Sequence, residues 1–137
     1  MTFAAFNSDG TRIVTTSWDQ TARIWNATTG EEMAALRAGS AALMSAAFSP
    51  DGSKLVVASW DNTARVLDAR SGQELVVLKG HEAGVWSASF SPNGTRIATA
   101  SWDKTARIWD VATGRELMAL RGHTREVHTA RYNRAGT

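Results

Sequence analysis

The sequence predicts an all-β chain in which one four-stranded antiparallel sheet is built three times. Three stretches that start with Ser-Trp-Asp recur 42 residues apart, as the numbers of Trp18, Trp60 and Trp102 show. A period between about 20 and 50 residues is typical of repeat architectures. Within each unit, short alternating runs of apolar and polar residues are separated by turn-forming stretches, which is the pattern of strands joined by hairpins.

The third unit shows the four strands most clearly. Turn-forming sequences, "SPNGT", a tight turn at 102–104 and "VATGR", separate its runs. The last run, "ELMAL", is too short to be a stable helix. The strands of this unit are predicted at residues 85–90, 96–101, 105–110 and 116–120. The whole chain is predicted to be one repeat array, with units at 1–36, 37–78 and 79–120 and a partial fourth copy at 121–137.

Composition narrows the class of protein. The 43% hydrophobic and 20% charged residues are usual for a globular domain. The absence of cysteine excludes disulfides and thiolate metal sites, and the N-terminus does not resemble a secretory signal, so a cytoplasmic location is expected. No apolar run approaches the roughly 20 residues of a membrane helix. Fifteen Lys and Arg against 13 Asp and Glu do not by themselves indicate a nucleic-acid partner.

The residues of the third unit resemble the WD40 repeat. The resemblance rests on the Gly-His pair at 80–81, the "FSPNG" turn and "SWDKTARIWD" at 101–110, and it covers nearly the whole chain. It implies a β-propeller, in which four-stranded blades pack face to face around a channel.

The resemblance also implies a buried chain of hydrogen bonds in the third copy. Asp103 would accept from His81, which would link to the hydroxyl of Ser101, with Thr99 as the alternative on the same face. That hydroxyl would accept the indole N–H of Trp109, a group that only donates.

The other two copies depart from this set. The first has Ser17, Asp19 and Trp25 but no preceding Gly-His pair. In the second, Gly39 stands at the histidine position and Leu67 at the tryptophan position. Ser59 and Asp61 are therefore expected to lack two partners, and apolar packing is expected to hold this unit.

The fourth copy begins with Gly122 and His123 and stops before its second strand, so His123 has no Ser, Asp or Trp of its own. One hypothesis is that this tail supplies an inner strand and His123 to Ser17, Asp19 and Trp25 of a second copy, displacing residues 2–6. The alternative is that residues 2–6 keep their place and the tail stays unpaired. The altered turn "NRAG" favours that alternative.

Three blades are too few for a ring, because propellers have about 4–8. Two apolar blade faces would be left open. We therefore expect homo-oligomerisation, as a dimer of six blades in preference to a trimer of nine, since fewer chains must meet. A fragment of a longer propeller is the other interpretation.

An interaction scaffold is the expected function. Three indoles, Trp18, Trp60 and Trp102, face away from the network near an exposed rim, and Trp86 and Met44 would extend that surface. The indoles would alternatively pack on neighbouring turns, which would suit a purely structural ring.

Nucleic-acid binding is a third interpretation, in which arginines would bind phosphates and the indoles would stack on bases. Because these arginines alternate with apolar strand residues near Asp, solvated or salt-bridged side chains are expected instead. The arginines at its repeated positions are Arg12, Arg23, Arg65, Arg96 and Arg107.

No enzyme activity, cofactor or metal is expected. His, Ser and Asp lie at a turn rather than a pocket, and no nucleophile elbow is present. The close pair His123 and His128 has no Cys or acidic cluster beside it.

Overall fold

A computed structural model describes residues 1–136, and the strands in that range form three four-stranded antiparallel sheets. The first sheet contains β1 (Phe3–Phe6), β2 (Arg12–Thr16), β3 (Thr21–Asn26) and β4 (Glu32–Arg37). The second contains β5 (Leu43–Phe48), β6 (Lys54–Ser59), β7 (Ala64–Asp68) and β8 (Glu74–Leu78). The third contains β9 (Val85–Phe90), β10 (Arg96–Ser101), β11 (Ala106–Asp110) and β12 (Glu116–Leu120). Strands follow chain order in every sheet, and the all-β prediction is confirmed.

The tight turn between the second and third strands is built the same way in each sheet. Its last residue is left-handed although it is not glycine: φ is 71° at Gln20, 71° at Asn62 and 70° at Lys104. Such a backbone is strained unless its surroundings hold it. The aspartate before it does so, because one carboxylate oxygen accepts both the N–H and the hydroxyl of the following threonine, as Asp103 does from Thr105 at 2.9 and 2.6 Å.

The sheets pack face to face in sequence order. We call the face turned toward the next sheet the back face and the other the front face. The back face of the first sheet, with Val14, Ile24 and Leu36, packs on Leu55 and Leu67 of the second. The back face of the second sheet packs in the same way on the third. Alternation within each strand therefore gives every sheet two apolar faces.

The two end sheets each have one uncovered face. Leu36 and Leu78 occupy one repeat position on the back faces of the first and second sheets and are 7% and 0% exposed, whereas Leu120 at this position in the third is 47% exposed. Phe6, on the open front face of the first sheet, is exposed, whereas its counterpart Phe48 is buried. The same apolar side chain thus changes from buried to exposed because no sheet lies against it.

Residues 121–136 form no strand, but part of this tail lies on the back face of the third sheet. The backbone N–H of Val127 donates to the carbonyl of Ser101 at 3.0 Å, as Leu43 donates to Ser17 at 3.1 Å. Val127 is buried against Ala100 and Ala106. The tail therefore occupies the place that an inner strand of a fourth sheet would take. In the first sheet, β1 itself pairs with β2, from Phe3 opposite Thr16 to Phe6 opposite Ile13.

Candidate functional site

The third sheet contains a complete buried chain of hydrogen bonds. Nδ1 of His81 lies 2.6 Å from Oδ2 of Asp103, and Nε2 lies 2.6 Å from the hydroxyl of Thr99. The indole N–H of Trp109 donates to the same hydroxyl at 2.8 Å. Because the indole only donates, the hydroxyl proton is free to point at Nε2, and Nδ1–H then donates to the carboxylate. Every link is satisfied by a neutral imidazole.

Thr99, rather than Ser101, is the hydroxyl of this chain, so the sequence-based choice of Ser101 was wrong. Thr99 lies diagonally across the β10–β11 ladder from Trp109, whose directly paired residue is Ile97. Ser101 lies two residues further on, at the end of β10. Its hydroxyl donates toward the carbonyls of Ala83 and Gly84 and accepts from the backbone N–H of Asp103.

The other two serines also serve the turn and not the chain. Ser17 accepts from the N–H of Asp19 at 3.2 Å, and Ser59 accepts from the N–H of Asp61 at 3.3 Å. The repeated Ser-Trp-Asp stretch is thus a turn-forming unit in all three copies.

Burial and hydrogen bonding set the protonation states of the pair. Burial lowers the pKa of His81 below 6.5, and this outweighs the opposing influence of Asp103. For Asp103, burial would raise the pKa, but hydrogen bonds from Thr105, His81 and the N–H of Glu82 together lower it to about 2. The folded protein therefore holds a neutral imidazole beside a carboxylate.

In the second sheet an arginine takes the place of the missing histidine. Nη1 of Arg65 donates to Oδ2 of Asp61 at 2.8 Å, and the N–H of Ser40 donates to the same oxygen at 3.0 Å. A Cβ at Gly39 would lie 2.5 Å from that Nη1. The expectation that Asp61 lacks partners was therefore wrong: glycine leaves the space that the guanidinium fills.

The remaining members of the chain change together in this sheet. Val57 stands where the third sheet has Thr99, and Leu67 stands where it has Trp109; both are buried. Replacing both partners of a hydrogen bond by apolar groups leaves no unsatisfied donor. The apolar core expected for this sheet is thus combined with an ion pair at its turn.

The first sheet holds an incomplete version of the chain. The indole N–H of Trp25 donates to Thr15 at 2.9 Å, and Oδ1 of Asp19 accepts from Thr21. Those hydrogen bonds from Thr21 lower the pKa of Asp19. Neither imidazole nor guanidinium reaches Oδ2 of Asp19 in the described part of the chain. An open groove of about 550 Å³ lies beside Thr15, Asp19 and Trp25 on the front face.

A column of ion pairs runs through all three sheets, and its glutamate partners were not predicted from the sequence. Three pairs, at 2.8, 3.1 and 2.8 Å, join Arg23 to Glu32, Arg65 to Glu74 and Arg107 to Glu116. The period of 42 residues in both Arg and Glu was the available signal. Arg107 is also buried, and Arg12 donates to the carbonyl of Gly52 at 2.8 Å. These arginines are engaged within the protein, which counts against a nucleic-acid surface.

Two of the three predicted rim indoles, Trp60 and Trp102, form part of an aromatic cluster. We define this aromatic cluster as Trp60, Trp86, Trp102 and His128. Trp60 meets Trp102 edge to face at 4.8 Å, and Trp86 stacks on Trp102 at 5.8 Å and meets His128 at 5.2 Å between ring centroids. Trp60 also lies directly over the backbone of Gly84, where a Cβ would touch its ring. Contacts with neighbouring residues therefore bury part of each ring of the aromatic cluster.

The rest of this surface stays open to solvent. Trp60 and Trp102 each remain 40% exposed, and Trp18 is 73% exposed. Trp18, Met44, Trp86 and His128 line a concave groove of about 790 Å³ along the inner strands. The structure thus brings the five predicted partner-binding residues to one side of the sheet array, with Trp18 outside the aromatic cluster.

Two findings concern other classes of site. Among residues 1–136, no group of three or more His, Asp or Glu side chains is arranged to hold a metal ion. The same residues contain no helix long and apolar enough to cross a membrane.

Arg65→Met tests the substitution of guanidinium for imidazole. We expect it to lower the free energy of unfolding by about 1–3 kcal/mol, because the half-buried Asp61 loses its charged donor. The control Arg23→Met removes the exposed Arg23–Glu32 pair, which is the counterpart of Arg65–Glu74. It should lower the free energy of unfolding by no more than about 0.5 kcal/mol. Urea unfolding measures both, and equal losses would contradict the assignment.

His81→Asn tests the neutral imidazole. Because the folded pKa of His81 lies below 6.5, the unfolded chain binds more protons under mildly acidic conditions, and stability falls as the pH drops through that value. Asp103, with a pKa near 2 against 3.8, adds a further loss below about pH 4. Urea unfolding from about pH 7.5 to 5 should show a flatter profile for His81→Asn than for wild type. An unchanged slope in His81→Asn would refute the assignment.

Comparison with known proteins agrees with this architecture. The family model described as "WD domain, G-beta repeat" matches residues 1–26, 30–68 and 72–110, which is more than half of the chain. Each matched range contains the Ser-Trp-Asp turn of one sheet. A search of curated proteins found no matching sequence. Three repeat matches over three four-stranded sheets show that the chain belongs to the WD40 repeat family.

Proposed function

We propose that this protein is a non-enzymatic scaffold that assembles with copies of itself and binds another protein or peptide through its aromatic rim. WD40 repeats generally mediate protein–protein interaction as scaffolds. The observation that carries the proposal is the pair of uncovered sheet faces at the two ends of the array.

The internal repeat indicates what fits those faces. The back faces of the first and second sheets are each covered by the front face of the next sheet. The back face of the third sheet presents Leu120 where those sheets present Leu36 and Leu78. The matching front face in this chain is that of the first sheet, so a second copy docked head to tail would cover both. Two copies give six blades and three give nine, and we favour the dimer.

Burial supports the absence of catalysis. Asp103, His81 and Thr99 are ordered like an acid–base–nucleophile triad. However, Thr99 is fully buried, and its hydroxyl already contacts both His81 and the indole of Trp109. A substrate has no route to this hydroxyl, so the arrangement serves stability.

The aromatic rim supports binding of a protein or peptide. Indole rings combine a large apolar area with an N–H donor, and they are enriched among residues that dominate binding energies. The exposed Trp18 and the groove along Met44 and Trp86 offer a concave apolar surface. A purely structural ring would leave this surface without a ligand.

Leu120→Lys tests self-assembly. Light scattering of wild type should give two or three times 14.8 kDa. The variant should dissociate at least about tenfold more readily, because a charge would be buried between sheets. The control Leu117→Lys changes an equally exposed leucine of β12 whose counterparts Met33 and Leu75 are also exposed, so its mass should match wild type. A wild-type mass of 14.8 kDa, or no effect of Leu120→Lys, would contradict the proposal.

Trp18→Ala and Trp102→Ala test the aromatic rim. Peptides selected from a random display library against the wild type should bind these variants at least about tenfold more weakly. Circular dichroism should show unchanged β-structure for Trp18→Ala, because that ring is mostly solvent-exposed. Leu75→Ala, an exposed apolar control on β8, should keep full affinity. Selected peptides that bind all variants equally would favour a purely structural ring.

A further inference from the structure

The two ends of the chain carry complementary parts of one hydrogen-bond chain. The first sheet has Thr15, Asp19 and Trp25 at the positions of Thr99, Asp103 and Trp109 in the third, and it lacks only the imidazole. His123 occupies the repeat position of His81, is exposed, and makes no hydrogen bond within residues 1–136. The missing group and the unused group are thus at opposite ends of the array.

The tail already lies where it would present that imidazole to a following sheet. Val127 is anchored to the carbonyl of Ser101, and the hydroxyl of Ser89 donates to the carbonyl of Ala130 at 3.1 Å. The turn after it closes through the N–H of Gly136 and the carbonyl of Asn133 at 3.0 Å, as Gly94 and Ser91 do at 2.9 Å. The tail therefore lies on the third sheet at the place of an inner strand, and no strand of the described chain pairs with it.

The repeat also sets the register of the pairing. In the third sheet, Ser87 of β9 pairs with Ala100 of β10. The residue one repeat after Ser87 is Thr129 of the tail. The residue of the first sheet that corresponds to Ala100 is Thr16 of β2. Within the single chain Thr16 pairs with Phe3 of β1. The tail of one copy and β1 of another therefore compete for the same edge of β2.

We propose that the tail of one copy replaces β1 of a second copy on β2, and that His123 then completes the hydrogen-bond chain of that copy. The imidazole would enter the front-face groove, donate from Nδ1 to Oδ2 of Asp19 and accept the hydroxyl proton of Thr15, which holds the indole N–H of Trp25. This deepens the proposed function and rests on the self-assembly stated there. It makes the seam between copies equivalent to the contacts between neighbouring blades.

Two features favour the tail over β1 in this competition. β1 has four residues, and its Phe6 is exposed. The tail brings an anchored valine and the imidazole as well as backbone that would pair with β2, so it would satisfy polar groups that β1 leaves open. Exchange of equivalent elements between identical chains needs no new interaction type.

Cysteine cross-linking tests the strand replacement, and the chain has no native cysteine to interfere. A Thr16→Cys chain mixed with a Thr129→Cys chain should form a disulfide-linked pair under mild oxidation, seen by mass spectrometry. Arg131→Cys, two residues out of register on the same strand, should link poorly to Thr16→Cys. The double variant Phe3→Cys/Thr16→Cys reports the competing arrangement, in which the disulfide forms within one chain.

A double-mutant cycle tests the histidine. His123→Ala and Asp19→Asn should each weaken assembly by about tenfold or more, and the double variant should be no weaker than the more severe single variant. Arg125→Ala, at an exposed tail position whose counterpart in the third unit is Ala83, should assemble like wild type. Because His123 is exposed in the single chain, its substitution should leave the circular dichroism unchanged.

The outcomes separate this inference from the proposed function. A monomeric wild type overturns both. An assembly that shows no Thr16–Thr129 link, or in which His123→Ala and Asp19→Asn act independently, overturns the strand replacement and leaves self-assembly standing.

Discussion

Each sheet of this protein is apolar on both faces, and the rest of the structure follows from the need to cover them. A strand alternates its side chains between two faces, and here both alternating sets are rich in Val, Leu, Ile and Ala. One sheet cannot bury both faces by itself, so stability arises between sheets as much as within them. Leu36, Leu78 and Leu120 show this directly, since one repeat position is buried twice and then exposed at the open end.

The three sheets share one turn backbone, but the aspartate of the turn has different side-chain partners in each sheet. In the third sheet, Asp103 is hydrogen-bonded to His81, which also contacts Thr99. In the second sheet, Asp61 pairs with Arg65, and apolar residues replace the threonine and the tryptophan of the chain. The first leaves the position open at the front face. The second and third sheets obey the rule that a buried polar group needs a partner or must be removed together with it. The open position lies in the first sheet, at one end of the array, on the face that no neighbouring sheet covers.

The sequence predicted much of the fold, because the repeat supplies three views of the same unit. In the third unit, three predicted strands coincide with β9, β10 and β12, and the fourth differs from β11 only in starting at Thr105 rather than Ala106. The network was harder to predict. Strand alternation places Thr99 and Ser101 on the same face and cannot say which hydroxyl lies nearer the indole. Arg65 was missed because its role depends on space left by Gly39, although the joint change to Val57 and Leu67 marked that unit as different. The contact between Trp60 and Gly84 likewise leaves no periodic signal in the sequence, because it forms only when two sheets pack together.

We propose that a second copy stabilises the three sheets by covering their end faces. The most direct measurement is the thermal midpoint of unfolding as a function of protein concentration, over a range of about a hundredfold. If folding is coupled to assembly, mass action makes the midpoint rise with concentration. We expect that rise for the wild type, and for Leu120→Lys we expect a lower midpoint that no longer varies with concentration. A wild-type midpoint that is the same at every concentration, for a species whose mass remains 14.8 kDa, would contradict it.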